Sequence, residues 1–363
     1  MTILSRYILR EYAKVFFLCL AGLMTVYLVV DFFEKIRKFV HHDAALGTVL
    51  EFFVLRIPAI SFQMTPLAVL MATLLTLGML ARNQEITAMR SCGISLYRIS
   101  WPFLCFALAV SFALLAVSAV IMPVSTVKAE YVKTTKIEKK DPVPAIVAMR
   151  PWVQIGEQTL LNVDVVDPEG PILHGVTLYQ LNEQFQVTAI TEAREARFTG
   201  QTWVLMDGVR RQLLPDGRTL AHPFEEWPAP LTRTPQDLQT WLATESEAMT
   251  LMDLDAYISR LRRGGYKVAD YLTDYHGRIA FPFVSVVMVV VGIALSLRRS
   301  GVRGSGMAIG IGQALAIGFL YWTAHSVAIA LGRSGALAPL LAGWIANLLF
   351  LSFGSYLFLK VRQ

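Results

Sequence analysis

The chain has 363 residues, of which 55% are hydrophobic and only 17% charged; a soluble domain carries about 25% charged residues, so an ordinary soluble fold is excluded for most of this chain. Its net charge of +6 does not point to nucleic acid, because no interleaved basic and aromatic surface of the strand-binding kind is present. With a mean hydropathy of +0.50, excess Lys and Arg fit cytoplasmic loops and anionic lipid instead.

The apolar residues fall in two blocks, before about Pro123 and after about Arg278, with about 150 more polar residues between them. The opening MTILSRYILREYAKVFF sets basic residues before an apolar run. That run is long enough to span and has no convincing small-residue cleavage site, so it reads as a retained first helix rather than a signal peptide. A span needs about 20 mainly apolar residues. Six segments meet that requirement: Val15–Phe33, Ile57–Leu80, Trp101–Met122, Ile279–Leu297, Ile309–Leu331 and Leu337–Leu359. Pro66 and Pro282 lie inside spans, where neighbouring helices tolerate a kink.

The predicted organisation is a polytopic α-helical membrane protein of six spans, with a β-jellyroll or sandwich domain inserted at 123–278 between spans one to three (1–122) and four to six (279–363). Lys and Arg in the short segments orient it. One side holds Arg6, Arg10, Lys14, Arg82, Arg90, Arg98, Arg298, Arg299, Arg303, Lys360 and Arg362, and the other holds Lys35, Arg37, Lys38, Arg56 and Arg333. This bias puts both termini in the cytoplasm and the central domain outside. The cluster Lys35, Arg37 and Lys38 runs against it.

The central domain begins with a helical extension of span three, VSTVKAEYVKTTKIEKK. Strand-like pieces follow: TLLNVDVV, GVTLYQL, FQVTAIT, TWVLMDGV and RTLAH. Alternation at Phe185, Val187 and Ala189 has the period of a half-buried strand, and the breaks at Asp167–Gly170 and Pro215–Gly217 are turn-forming. MDLDAYISRLRRGG predicts a helix with Leu254, Ile258 and Leu261 on one face and Gly264-Gly265 at its end. A second amphipathic piece leads through His276-Gly277-Arg278 into span four. The three cysteines, Cys19, Cys92 and Cys105, lie outside the central domain, so it carries no internal disulfide.

No phosphate-cradling Gly-Lys-Ser/Thr loop, HExxH pattern or Cys-x-x-Cys pair occurs. His276 and His325 are candidate proton carriers, with packing against neighbouring helices as the plainer reading. Asp31 is nearly the only acid in the spans. The loop LARNQEITAMRSCGIS, between spans two and three, predicts a short amphipathic helix ended by Gly93. It suits docking into a cytoplasmic partner and equally an ordinary interfacial helix.

Together with the opening SRYILREYAKVF and the stretch MDLDAYISRLRRGG…HGRIAFPF, that loop resembles the LptF/LptG permeases of the lipopolysaccharide-export ABC transporter. The resemblance covers essentially the whole chain. VVDFFEKIRKF and YISRLRRGG look more like LptG than LptF. The resemblance implies a non-enzymatic permease subunit in the Gram-negative inner membrane, paired with an LptF-type permease above an LptB ATPase dimer. It also implies periplasmic jellyrolls continuing into LptC and LptA, with lipopolysaccharide as cargo. ATP and Mg²⁺ would belong to the ATPase, and this chain would bind no cofactor.

By the same resemblance, the loop helix near 82–93 couples to the ATPase. Glu85 would pair with a basic residue there, with Arg82, Arg90 and Gly93 shaping the helix. Lys35, Arg37, Lys38 and Lys133 become candidate ligands of lipid A phosphates, since Arg and Lys bind phosphate well; snorkelling anchors are the alternative. Some relatives carry Lys where this chain has Asp31. An acid there cannot bind phosphate, and its expected mate is a basic residue of the partner. Gly306 and Gly310, with Gly312 and Gly318, permit close approach to a partner span. Rival readings are a membrane-anchored periplasmic binding or scaffold protein, which would survive replacement of Glu85, and a lipoprotein-export permease, which the count of six spans disfavours.

Overall fold

In the computed structural model the apolar runs form six helical segments long enough to cross a bilayer. The structure describes residues 3–42, 44–138, 152–155, 158–166, 172–182, 184, 186–200, 202–213, 218–229, 249–263, 267–299 and 307–360. It divides into two units, Met1–Glu138 with Gly265–Gln363, and Lys139–Gly264.

The first unit is a helical bundle. Helix α1 (Ile3–His41) and α2 (Leu46–Arg82) are each far longer than the predicted spans. At 1.5 Å per residue α1 runs about 58 Å against a hydrocarbon core of about 30 Å. The short α3 (Glu85–Ser91) joins α2 to α4 (Leu96–Ala116). A π turn, Val117–Ile121, carries α4 into α5 (Met122–Tyr131), and a second π turn, Val132–Ile137, ends it. Pro123 follows the first π turn. A proline has no N–H and crowds the carbonyl four residues back, and the wider turn relieves that crowding.

Beyond the second unit, α7 (Ala269–Ala280) passes through a 3₁₀ turn at Phe281–Phe283 into α8 (Val284–Arg299). Helices α9 (Met307–Arg333) and α10 (Pro339–Leu359) complete the bundle. Gly335, at φ +77°, makes the turn between them. The extensions at 123–138 and 269–278, assigned from sequence to the central domain, continue the spans and pack with the bundle.

Burial orders the bundle. In α2 and in the α7–α8 segment, 61% and 67% of the most apolar stretch is buried, against 17% in α1 and α9. The first two therefore form the centre. Gly292 lets α8 approach Thr73 of α2, where a Cβ would lie 2.9 Å from the Thr73 methyl. Tyr12 is fully buried among Phe103 and Phe106, its ring centroid 4.6 and 5.0 Å from theirs. Its hydroxyl reaches Thr73 Oγ1 at 3.1 Å and donates to the Val69 carbonyl at 3.3 Å, so the buried polar tip is satisfied. A separate apolar cluster of Phe39, Val49, Phe52, Phe53, Ala129, Val132 and Ile137 ties together the extensions of α1, α2 and α5.

The second unit holds a jellyroll-like antiparallel sheet of six strands in sequential order: β1 (Trp152–Ile155), β2 (Thr159–Val166), β3 (Ile172–Leu181), β4 (Val187–Phe198), β5 (Trp203–Leu213) and β6 (Thr219–Pro228). Five of these were expected, and β1 was missed. The predicted turns at 167–170 and 215–217, and the break at 264–265, lie outside the described residues.

Along β3 the buried positions run Leu173, then Val176 and Leu178, a slip in the period of two. The slip coincides with positive φ at Gly175 (+65°) and, on β5, at Asp207 (+50°). There the sheet turns its inner face, so that Leu173, Ala196, Trp203 and Leu205 join the same core as Val163, Val176 and Leu178. The predicted helix is α6 (Leu251–Arg263), with Leu254, Ile258 and Leu261 buried. Thr250 caps it reciprocally: its Oγ1 accepts the Asp253 N–H at 3.2 Å and donates to Asp253 Oδ2 at 2.6 Å.

Candidate functional site

Two polar constellations stand at opposite ends of the bundle. The first surrounds α3, beside the start of α1 and the end of α10. Helix α2 stops at Arg82, and Gln84 adopts a left-handed conformation (φ +62°) that redirects the chain into α3. A non-glycine residue there stores about 1 kcal/mol of strain. At the other end Gly93, at φ +79°, closes the helix. Its N–H bonds the Arg90 carbonyl at 2.9 Å and the Ile94 N–H bonds that of Met89 at 3.0 Å, a Schellman motif.

Ile86 and Met89 bury themselves in the main core with Ile8 and Tyr12 of α1. The opposite face is exposed, including Arg90, and Arg82 at the end of α2 is exposed as well. Between the two faces sits Glu85, half-buried. Its Oε2 accepts a hydrogen bond from the Tyr7 hydroxyl at 3.0 Å, and its Oε1 accepts one from Asn83 Nδ2 at 3.3 Å. Of the four residues named from sequence, Arg82 ends α2, Glu85 and Arg90 lie on α3, and Gly93 closes it. Tyr7 and Asn83 were not anticipated. Tyr7 lies 78 residues from Glu85, beyond any local pattern.

The second constellation is at the far end. Asp31 is buried at 5% exposure. It accepts a bond from Lys35 one turn along α1, and Arg56 Nη1 of α2 donates to Oδ1 at 3.0 Å and to Oδ2 at 2.9 Å. Arg56 also lies 5.7 Å over the Phe52 ring. Asp31 therefore finds its cations within this chain, where a partner's residue had been expected. Lys35 is turned toward that carboxylate, and Arg37 is exposed. The Lys38 side chain lies outside the described residues. Lys133 pairs with Glu130 at 2.8 Å, and Lys136 binds Glu51 of α2 at 2.7 Å. Arg56 was missed as a site residue, although a cation entering an apolar run was a readable signal.

Among the remaining sequence candidates, His325, Gly310 and Gly318 pack against neighbouring helices. His325 stacks on Tyr321 with centroids 5.9 Å apart and contacts the Phe281 ring. Gly318 faces Leu67 of α2 in the same chain, and a Cβ there would lie 2.6 Å from Leu67 Cδ1; Gly310 faces Leu74 and Leu75, while Gly312 is open. Gly306 lies outside the described residues.

Residues 6–360 match the family described as lipopolysaccharide export system permease LptF/LptG. The chain is 22% identical over 329 residues to the lipopolysaccharide export system permease protein LptG of Haemophilus influenzae, covering 89% of each chain. It is 19% identical over 361 residues to the protein of the same name from Escherichia coli K12, covering 99% of this chain and 98% of that one.

Proposed function

We propose that this chain, which belongs to the lipopolysaccharide export system permease family LptF/LptG, serves as the LptG-type subunit of the transporter that lifts lipopolysaccharide out of the inner membrane. It pairs with an LptF-type permease, stands on an LptB-type ATPase dimer that holds the ATP and Mg²⁺, and delivers its cargo toward LptC- and LptA-type jellyrolls. The carrying observation is the family match along nearly the whole chain together with a six-span bundle that presents α3 at one end. The LptG names of the relatives support that choice of subunit.

In this reading both termini and α3 are cytoplasmic and the sheet is periplasmic. The exposed face of α3 docks on the ATPase, and Glu85 meets a cation there. Two carboxylate oxygens offer about four acceptor sites, and the bonds from Tyr7 and Asn83 occupy two of them. Closure of the ATPase pair displaces α3, and the movement narrows a cavity shared with the second permease. At the far end the proposed ligands of the lipid headgroup phosphates are Lys35, Arg37, Lys38 and Lys133, and to bind them Lys35 and Lys133 would exchange their ion pairs with Asp31 and Glu130.

The test is Glu85→Lys in the complete transporter reconstituted in proteoliposomes. The expected result is loss of ATP-dependent lipopolysaccharide release from a complex that still assembles. Release at the original rate would remove Glu85 from the coupling path and leave α3 an ordinary interfacial helix.

A further inference from the structure

The reading of Glu85 as the coupling carboxylate leaves open what aims it. Helix α3 has only seven residues, and Gln84 at its start provides no side-chain cap. Its local restraint, from Asn83, is the longer of the two bonds to Glu85, at 3.3 Å against 3.0 Å for Tyr7. The Tyr7 bond comes from another helix, α1, whose backbone is fixed at that point. Ile8 and Tyr12, one and five residues on, are fully buried beside Ile86 and Met89. Tyr12 is further tied to α2 through Thr73 and Val69. A tyrosine ring on a fixed helix turn has few degrees of freedom, so its hydroxyl can hold the carboxylate in one orientation.

Tyr7 itself is 42% exposed. An exposed hydrogen bond of this kind contributes little to stability, so orientation is the larger part of what it can supply. We infer that Tyr7 is the positioning residue for Glu85, presenting the carboxylate to the partner's cation and carrying displacement of α3 into α1. The inference rests on the coupling role given to Glu85 above.

The experiment compares wild type, Tyr7→Phe, Glu85→Gln and the double variant in the complete transporter. It reads lipopolysaccharide released per ATP hydrolysed, together with assembly and melting temperature. Tyr7→Phe keeps the ring and removes only the donor. The expected outcome is a ratio lowered about two- to tenfold, the span of one lost hydrogen bond, with the melting temperature near wild type. The double variant should fall no lower than Glu85→Gln alone, because both act through one bond. A wild-type ratio for Tyr7→Phe beside a lowered one for Glu85→Gln overturns the inference and leaves the coupling reading standing. A double variant that falls by the product of the two single effects also overturns it, since Tyr7 then acts apart from Glu85. A wild-type ratio for Glu85→Gln overturns the coupling reading itself, and the inference with it.

Discussion

Among the described residues Asp31 is the one charged side chain that is buried, and its two cations decide why it is tolerated. Lys35 and Arg56 keep 24% and 27% of their side chains exposed, so water still reaches their outer faces. Asp31→Asn leaves two positive groups facing each other across α1 and α2. A fully buried pair broken in this way costs about 3–5 kcal/mol, and the partial exposure here lowers that to roughly 2 kcal/mol. The expected result is a clear drop in melting temperature of the purified protein in detergent; an unchanged one would mean the triad is not formed.

Gly93 isolates a different cause. No atom lies within 4 Å of a Cβ built there, and its φ is +79°. Gly93→Ala therefore pays for backbone conformation alone, about 1 kcal/mol. Gly93→Asn should cost less, since Asn visits this region more readily. Equal destabilisation by the two would contradict the backbone argument, and thermal unfolding of both variants decides it.

The helices show which parts of the fold could be read in advance. Five of the six predicted spans lie within one of the long helical segments and the sixth, Leu337–Leu359, begins two residues before α10, because about 20 apolar residues have few other uses. Their extensions were hidden. Residues 34–41 carry Glu34, Lys35, Arg37 and Lys38 and read as a loop, yet Phe39 is buried there against Phe52 and Phe53. One aromatic among charges gives a weak periodic signal. Strand β1, at four residues, was too short for alternation to register. The Tyr7–Glu85 and Asp31–Arg56 contacts depend on which helices touch, and neither spacing nor composition encodes that.

Helix contacts also yield a paired prediction. A Cβ on Gly343 of α10 would lie 2.9 Å from the His276 carbonyl carbon and 3.1 Å from the Gly277 nitrogen, both backbone atoms of α7 that cannot swing aside. Gly343→Leu should force α10 away and cost about 1–3 kcal/mol. Gly312→Leu, with nothing within 4 Å, should leave melting unchanged. Similar losses from both would show that the α7–α10 contact is not as close as described. Close to that contact, Asn347 accepts a bond from the Tyr321 hydroxyl at 2.7 Å and donates to the Ala280 carbonyl at 2.8 Å, pinning α9, α10 and α7 together. Such links inside a helical bundle are worth about 0.6 kcal/mol each on average, so they act as a register pin more than as a source of stability.

At the scale of the whole molecule, the two ends of the bundle differ in kind. One end gathers the start of α1, α3 and the end of α10, with Arg6, Arg10, Lys14, Arg82, Arg90, Arg98 and Lys360 among the described residues, while the other carries the extended helices with their own apolar cluster and ion pairs. The proposed orientation puts the first end in the cytoplasm, and the cysteines allow a direct test. Cys92 is exposed in the turn after α3, Cys19 is buried and Cys105 is half-buried. A membrane-impermeant maleimide should therefore react chiefly at Cys92. It should do so in inverted membrane vesicles and not in intact spheroplasts. A cysteine introduced at Ser334, exposed in the turn between α9 and α10 at the opposite end, should show the reverse pattern. Because α9 connects the two ends within one apolar helix, the two labels cannot report the same side unless α9 fails to cross. Labelling of Cys92 from outside, with Ser334→Cys labelled from inside, would invert the whole assignment. It would also remove α3 from reach of any cytoplasmic ATPase, and the coupling role of Glu85 would fall with it.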